Sequence, residues 1–203
     1  MAALWLRTDP LLLASKSAVR RTLLAGAGLP LEVVAADVDE RAMEREAGSI
    51  GASELAALLA AAKAAAVGAR HPDRIVVGAD QTLACGGKVY SKPADRAAAR
   101  DQLRSLAGTT HDLHAAVAVW ANGALAFAHV STARLTMRAF TDAFLDSYLD
   151  AAGDAVTTSV GAYQLEGIGI HLFEKIEGDY FTILGLPLLP LLGFLRQRGL
   201  VGG

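Results

Sequence analysis

Ile75-Val76-Val77-Gly78-Ala79-Asp80-Gln81-Thr82 reads as a buried strand that ends in a carboxylate. Three β-branched residues in a row, with nothing polar between them, belong to a strand covered on both faces. Strands of that kind sit in sheets flanked by helices, where ligands gather beyond the strand ends. Gly78 and Ala79 leave space beside the backbone, and Asp80 falls where the strand is expected to open into a loop. A strand-end Asp either caps a turn or faces a ligand; this stretch alone leaves both readings open.

Upstream, Leu11-Leu12-Leu13-Ala14 is a second short apolar strand, followed by Ser15-Lys16-Ser17. Ser17 is a good N-cap for a helix over 18–25 that stops at Gly26 or Gly28. The helix would carry Arg20 and Arg21 in its first turn, against the helix dipole. Either these are surface arginines, or an anion docks there and takes backbone N–H groups, serine hydroxyls and guanidinium together. Residues 31–34 form a further strand leading to Asp37-Val38-Asp39-Glu40, where three carboxylates cap a helix or hold a hard divalent cation. Ser53 is expected to cap an alanine-rich helix over 54–67 on which Lys63 reads as a solvated lysine.

Downstream, Cys85-Gly86-Gly87-Lys88 signals a hairpin turn and Lys88-Val89-Tyr90 its return strand. The hairpin would carry Lys92 back toward Asp80, making it a candidate phosphate ligand. Asp95 caps a helix over 96–107, closed by Gly108. Strands over 113–120 and 124–130 flank Asn122-Gly123, a strong hairpin signal, and 131–137 alternates as a separate strand. Thr141 caps a helix to residue 150. Gly161-Ala162-Tyr163-Gln164-Leu165-Glu166-Gly167-Ile168-Gly169 is a glycine-spaced loop, 170–173 is strand-like, and Pro187 opens a final helix.

Composition limits the function. A chain of 203 residues can bury a core without staples. Apolar residues make up 53% of it, yet no uninterrupted run approaches the ~18 residues of a membrane span. The net charge of −2 argues against broad binding to nucleic acid. Residues 1–10 lack a basic leader and contain Asp9, so no secretory signal is expected. Cys85 is the single cysteine, which excludes an intrachain disulfide and points to a reducing cytoplasm. His71, His111, His114, His129 and His171 show no metal-binding spacing, and neither of the common glycine-rich phosphate loops occurs.

The motifs taken in order resemble the Maf family of nucleoside triphosphate pyrophosphatases over nearly the whole chain. The matching segments are Leu13-Ala14-Ser15-Lys16-Ser17 with Arg20-Arg21, Asp37-Val38-Asp39-Glu40, Lys63-Ala64, Val77-Gly78-Ala79-Asp80, Lys92-Pro93, Gly161-Ala162-Tyr163, Gly178-Asp179-Tyr180 and Gly185-Leu186-Pro187. Each is short; their joint order is specific. The resemblance implies an α/β fold of Maf/ITPase type. Its elongated mixed sheet would be flanked by helices, with two lobes around a cleft in a single domain over 1–203, and often a homodimer. It implies hydrolysis of a nucleoside triphosphate to monophosphate and pyrophosphate with a divalent cation, Mg²⁺ or Mn²⁺. Carried over, Asp80 matches the catalytic base, Glu40 with Asp80 the metal-side carboxylates, and Ser15, Ser17, Arg20, Lys63 and Lys92 the phosphate-binding cluster. Gln81 and Glu166 match the branch acting on 7-methyl-GTP rather than the dTTP/UTP branch, which has Thr and Gln there. The chain departs from that branch at Val19, where a Trp is usual, at Ala18 in place of a proline, and at Thr182 in place of an asparagine. A nucleotide-binding regulator of division or septum formation, and a phosphatase or nucleotidyl transferase using the same cluster, are the competing readings.

Overall fold

The computed structural model describes residues 4–202; residues 1–3, the start of the stretch read for a leader, and residue 203 lie outside it. The chain is α/β. Seven strands form a mixed sheet in the order β2-β1-β3-β5-β6-β7, with β4 paired to β3. The strands are β1 (Leu11–Ala14), β2 (Leu31–Val33), β3 (Val76–Cys85), β4 (Lys88–Tyr90), β5 (Thr110–Ala121), β6 (Ala124–Met137) and β7 (Phe173–Glu177). The helices are α1 (Ala18–Gly26), α2 (Glu40–Ala47), α3 (Ala52–Gly68), α4 (Arg96–Leu106), α5 (Asp142–Ala152), α6 (Tyr180–Ile183) and α7 (Leu188–Gln197). Two compact units divide the chain: residues 1–81, 115–131 and 185–203 in the first, 82–114 and 132–184 in the second.

In the first unit β1 pairs in parallel with β2 and with β3, placing Ala14 opposite Gly78. The core there is built from small side chains: Ala56, Ala60 and Ala64 of α3 pack on Ala116 and Ala118 of β5. Alanine on both surfaces lets a helix approach a sheet closely, at the expense of apolar area per residue. Gly68, at the end of α3, takes this furthest, because a Cβ there would lie 2.1 Å from Cδ1 of Trp120.

The second unit has a core of large side chains, including Leu83, Leu103, Leu106, Leu135, Met137 and Leu145. In the same core His111 Nε2 hydrogen-bonds the Tyr163 hydroxyl at 2.8 Å, and His111 Nδ1 is buried without a partner. Burial lowers the imidazole to about 4, against the opposing pull of Asp112. The unfolded chain, titrating near ~6.5, therefore takes up the proton first. The contribution of His111 is complete above that value and is lost as pH falls through about 4. Stability is expected to decline over this window by up to about 3 kcal/mol. Melting curves against pH check this, and His111→Asn should flatten the slope.

Several local expectations change. Asp80 is not at a strand end: β3 runs on to Cys85, where Gly86 (φ 57°) and Gly87 (φ 80°) make the turn into β4. Its position still has the character of an end, because the parallel neighbour β1 stops opposite Gly78. The segments 124–130 and 131–137 are one strand, β6, since no breaker separates Val130 from Ser131. Gly51, not Ser53, is the N-cap of α3, with the Glu54 carboxylate accepting from the Gly51 N–H at 3.1 Å. Residues 168–172 form a 3-10 turn, and the strand after it is 173–177.

Candidate active site

The site is assembled by a missing side chain. A Cβ on Gly78 would lie 2.2 Å from the carbonyl oxygen of Ala60 and 2.6 Å from the amide nitrogen of Ala64. Only glycine lets α3 lie this close to β3. The buried stripe of α3 repeats at helical spacing through Leu55, Leu59, Lys63 and Val67, so Lys63 is carried into the interior with it. The expectation of a solvated Lys63 is therefore wrong: the residue is 8% exposed. Its Nζ donates to Asp80 Oδ1 at 2.6 Å and lies 2.9 Å from Glu40 Oε1. Asp80 itself is 8% exposed.

The acidic cluster separates into three roles. Asp39 caps α2, accepting from the Ala42 N–H at 2.9 Å. Asp37 pairs with Arg70 at 3.2 Å. Glu40, the exposed first residue of α2, pairs with Lys63. The cap reading of the cluster thus holds for Asp39, while Asp37 and Glu40 pair with an arginine and a lysine.

Arg20 arrives from β1 and α1. Ser17 caps α1, its Oγ accepting from the Arg20 N–H at 3.3 Å. The Arg20 side chain is buried and donates from Nε to the Gly185 carbonyl at 2.8 Å. From Nη1 it donates to the Ala79 carbonyl at 2.8 Å and to Ser15 Oγ at 3.0 Å. All three acceptors are neutral. Desolvation lowers the pKa of Arg20, and the fields of Asp80 and Glu40 work against that shift; a guanidinium stays charged regardless. Arg21 is exposed and takes no part in this network.

Gly185 belongs to a segment that carries the resemblance, but no role was expected of it. It adopts φ 86°, and a Cβ on it would meet Arg20 Nη2 at 3.3 Å and Gln81 Oε1 at 3.4 Å. Its left-handed backbone aims a carbonyl at the guanidinium, and its bare Cα leaves room for Arg20 and Gln81. The signal available was Gly followed by Leu-Pro ahead of a helix, which marks a turn but not what the turn touches.

The first unit therefore brings together Ser15, Ser17, Arg20, Glu40, Lys63, Asp80 and Gln81, with Val19 half-buried on the first turn of α1. Lys92 and Glu166 belong to the second unit, where both side chains are exposed. Among the described residues, no three His, Cys, Asp or Glu side chains gather as a ready-made metal cage. No helix among them is long and apolar enough to cross a membrane.

The family model for Maf-like proteins matches residues 10–198. The chain belongs to the Maf family. A nucleoside triphosphate pyrophosphatase of Rhodopseudomonas palustris (strain ATCC BAA-98 / CGA009) is 58% identical over 198 residues, covering 98% of each chain. A nucleoside triphosphate pyrophosphatase of Nitrobacter winogradskyi is 58% identical over 199 residues, again covering 98% of each. A 7-methyl-GTP pyrophosphatase of Rhizobium etli is 50% identical over 198 residues, covering 97% of this chain and all of that one. In this Maf protein the motifs at Ser15–Arg20, Glu40, Lys63, Asp80 and Gly185 are distant in sequence and meet in one unit. Two of the departures are also accounted for locally. Ala18 is an exposed first residue of α1, a position open to many residue types. At Thr182 the N–H and the hydroxyl both donate to Asp179 Oδ2, at 2.8 and 3.0 Å, closing the N-cap of α6.

Proposed function

We propose that the protein is a hydrolase that cuts a nucleoside triphosphate into its monophosphate and pyrophosphate, with Asp80 as general base. The observation that carries this is the buried Lys63–Asp80 pair beside a buried arginine whose acceptors are neutral. Burying such charges costs several kcal/mol per ion, and apolar residues of similar size would serve the fold as well or better. A charge network that stability does not require is reasonable at a site that handles a charged substrate. The names borne by relatives at 50–58% identity support the same activity.

Water attacks the α-phosphorus in this reading. Its proton passes to Asp80, the bond from phosphorus to the bridging oxygen breaks, and pyrophosphate leaves with that oxygen. Lys63 holds Asp80 through Oδ1, orienting the carboxylate toward the water. Arg20 and Lys63 give N–H donors to phosphate oxygens, Lys92 of the second unit is proposed as a further phosphate ligand, Ser15 and Ser17 supply hydroxyls, and α1 presents its N-terminus.

A divalent cation suits this set of donors. Arg20 and Lys63 are balanced by Asp80 and Glu40, so the first unit's cluster offers a polyphosphate no excess positive charge. Two carboxylates already converge on one cation, the Lys63 ammonium, through oxygens 2.6 and 2.9 Å from it. Mg²⁺ is commonly held by one or two carboxylates with substrate phosphates completing its shell; Glu40 and Asp80 would hold it here. When bound it would supply charge neutralisation and polarisation of the phosphate oxygens.

Gln81 and Glu166 favour a guanine-type base, and 7-methyl-GTP is the substrate we propose among triphosphates. A carboxylate at position 166 can accept from the donor edge of guanine and is attracted to a methylated, cationic ring. The lone cysteine suits the cytoplasm as its place of work. The test is a panel of 7-methyl-GTP, GTP, dTTP and UTP with Mg²⁺ or Mn²⁺, read by product identity. Monophosphate with pyrophosphate, fastest from 7-methyl-GTP, is expected. Free phosphate would move the broken bond and indicate a phosphatase; binding without products would indicate a regulator.

A further inference from the structure

We propose that Gln102, a residue of α4 outside all the motifs above, is a positioning residue that locks the Lys92 loop to the Gly161–Glu166 loop and so couples phosphate binding to base selection. This rests on the proposed roles of Lys92 and Glu166. The observation is a single side-chain amide with two long-range partners. Gln102 Nε2 donates to the Ser91 carbonyl at 2.9 Å, and Gln102 Oε1 accepts from the Gly161 N–H at 2.9 Å. Ser91 precedes Lys92 directly. Gly161 opens the loop that contains Glu166. All of these residues lie in the second unit.

Gly161 lies in a single 3-10 turn, Val160–Ala162, that is not helical at Gly161 itself, and Ser91-Lys92 follows the end of β4, so what holds these segments matters. The 161–166 loop is held in an uncommon shape. Gly161 has φ 85°, and a Cβ there would lie 2.6 Å from Tyr163 Cε1 and 2.7 Å from Leu83 Cδ1. Ala162 has φ 60°, a left-handed conformation that non-glycine residues rarely adopt. Such a conformation persists only where the surroundings over-determine it. Here the Tyr148 hydroxyl donates to the Ala162 carbonyl at 3.3 Å and Ser159 Oγ donates to the Tyr163 carbonyl. Those contacts fix the loop on its own side. Gln102 also reaches the Lys92 segment, through the Ser91 carbonyl.

The two ends of the amide have different chemistry, which gives a test that a merely structural residue would not satisfy. Glutamate at 102 can still accept from the Gly161 N–H but cannot donate to the Ser91 carbonyl. Leucine can do neither. For Gln102→Glu, KM is expected to rise about tenfold, the worth of one positioning hydrogen bond. The ratio of kcat/KM between 7-methyl-GTP and UTP should stay at its wild-type value. For Gln102→Leu the same rise in KM should come with a contraction of that ratio by about tenfold. Melting temperatures recorded in parallel separate these effects from unfolding.

Lys92→Ala and Glu166→Gln are measured alongside. If these two shift KM and selectivity while the Gln102 variants alter only kcat and melting temperature together, Gln102 is structural and the inference fails alone. If Lys92→Ala and Glu166→Gln leave the kinetics unchanged, the placement of those residues in the site fails and the inference falls with it.

Discussion

Asp80→Asn is expected to lower kcat for pyrophosphate release by about 10²–10⁴-fold, the contribution of a positioned general base. The amide matches the carboxylate in size and can still accept the hydrogen bond that Lys63 gives to Oδ1. It cannot take a proton from water. Lys63 retains Glu40 at 2.9 Å, so the ammonium is not left uncompensated. Activity should therefore fall far more than stability, which pyrophosphate release and thermal melting on the same preparation would show. A variant that turns over at the wild-type rate would remove Asp80 from the role of base.

Gly78→Ala is expected to be the most damaging substitution to the fold for its size, because one methyl group would drive two backbones apart. The atoms it would meet, the Ala60 carbonyl and the Ala64 amide at 2.2 and 2.6 Å, cannot rotate away. Helix α3 must lift from β3. The cost should be at or above the ~3 kcal/mol of an overpacked core. For a chain of this length that is a fall in melting temperature of about 6–12 °C. The lift also moves Lys63, the neighbour of Ala64, away from Asp80. Activity should be lost even well below the melting point. A melting temperature equal to wild type would show that the helix and strand are not held in this contact. A compensating change on α3 is not available, since the facing atoms are main chain and Ala64 is already small.

Much of this architecture is legible in the residues. The apolar strands β1 and β3, the Ser17 and Asp95 caps, the glycine turns at 86–87 and 122–123 and the proline start of α7 follow from local chemistry that neighbours seldom override. The errors occur where the deciding contact is distant. Pattern placed Asp80 at a strand end, but pairing of Leu83 with Tyr90 extends the strand beyond it. Pattern placed Lys63 in water by default, although its spacing from Leu59 and Val67 put it on the buried stripe.

By itself the sequence determined the fold class, the order of elements and the family, because apolar periodicity, caps and turn residues act within a few positions and the motifs keep their order. Through the family resemblance it also supplied the charged residues proposed for the site. Only the tertiary structure decided which of those charges face one another. The close approach permitted at Gly78, the left-handed backbone at Gly185 and the placement of Glu40 at the start of α2 set those partners. Each depends on backbone segments brought together from far apart in the chain, and no local pattern encodes the distance between them.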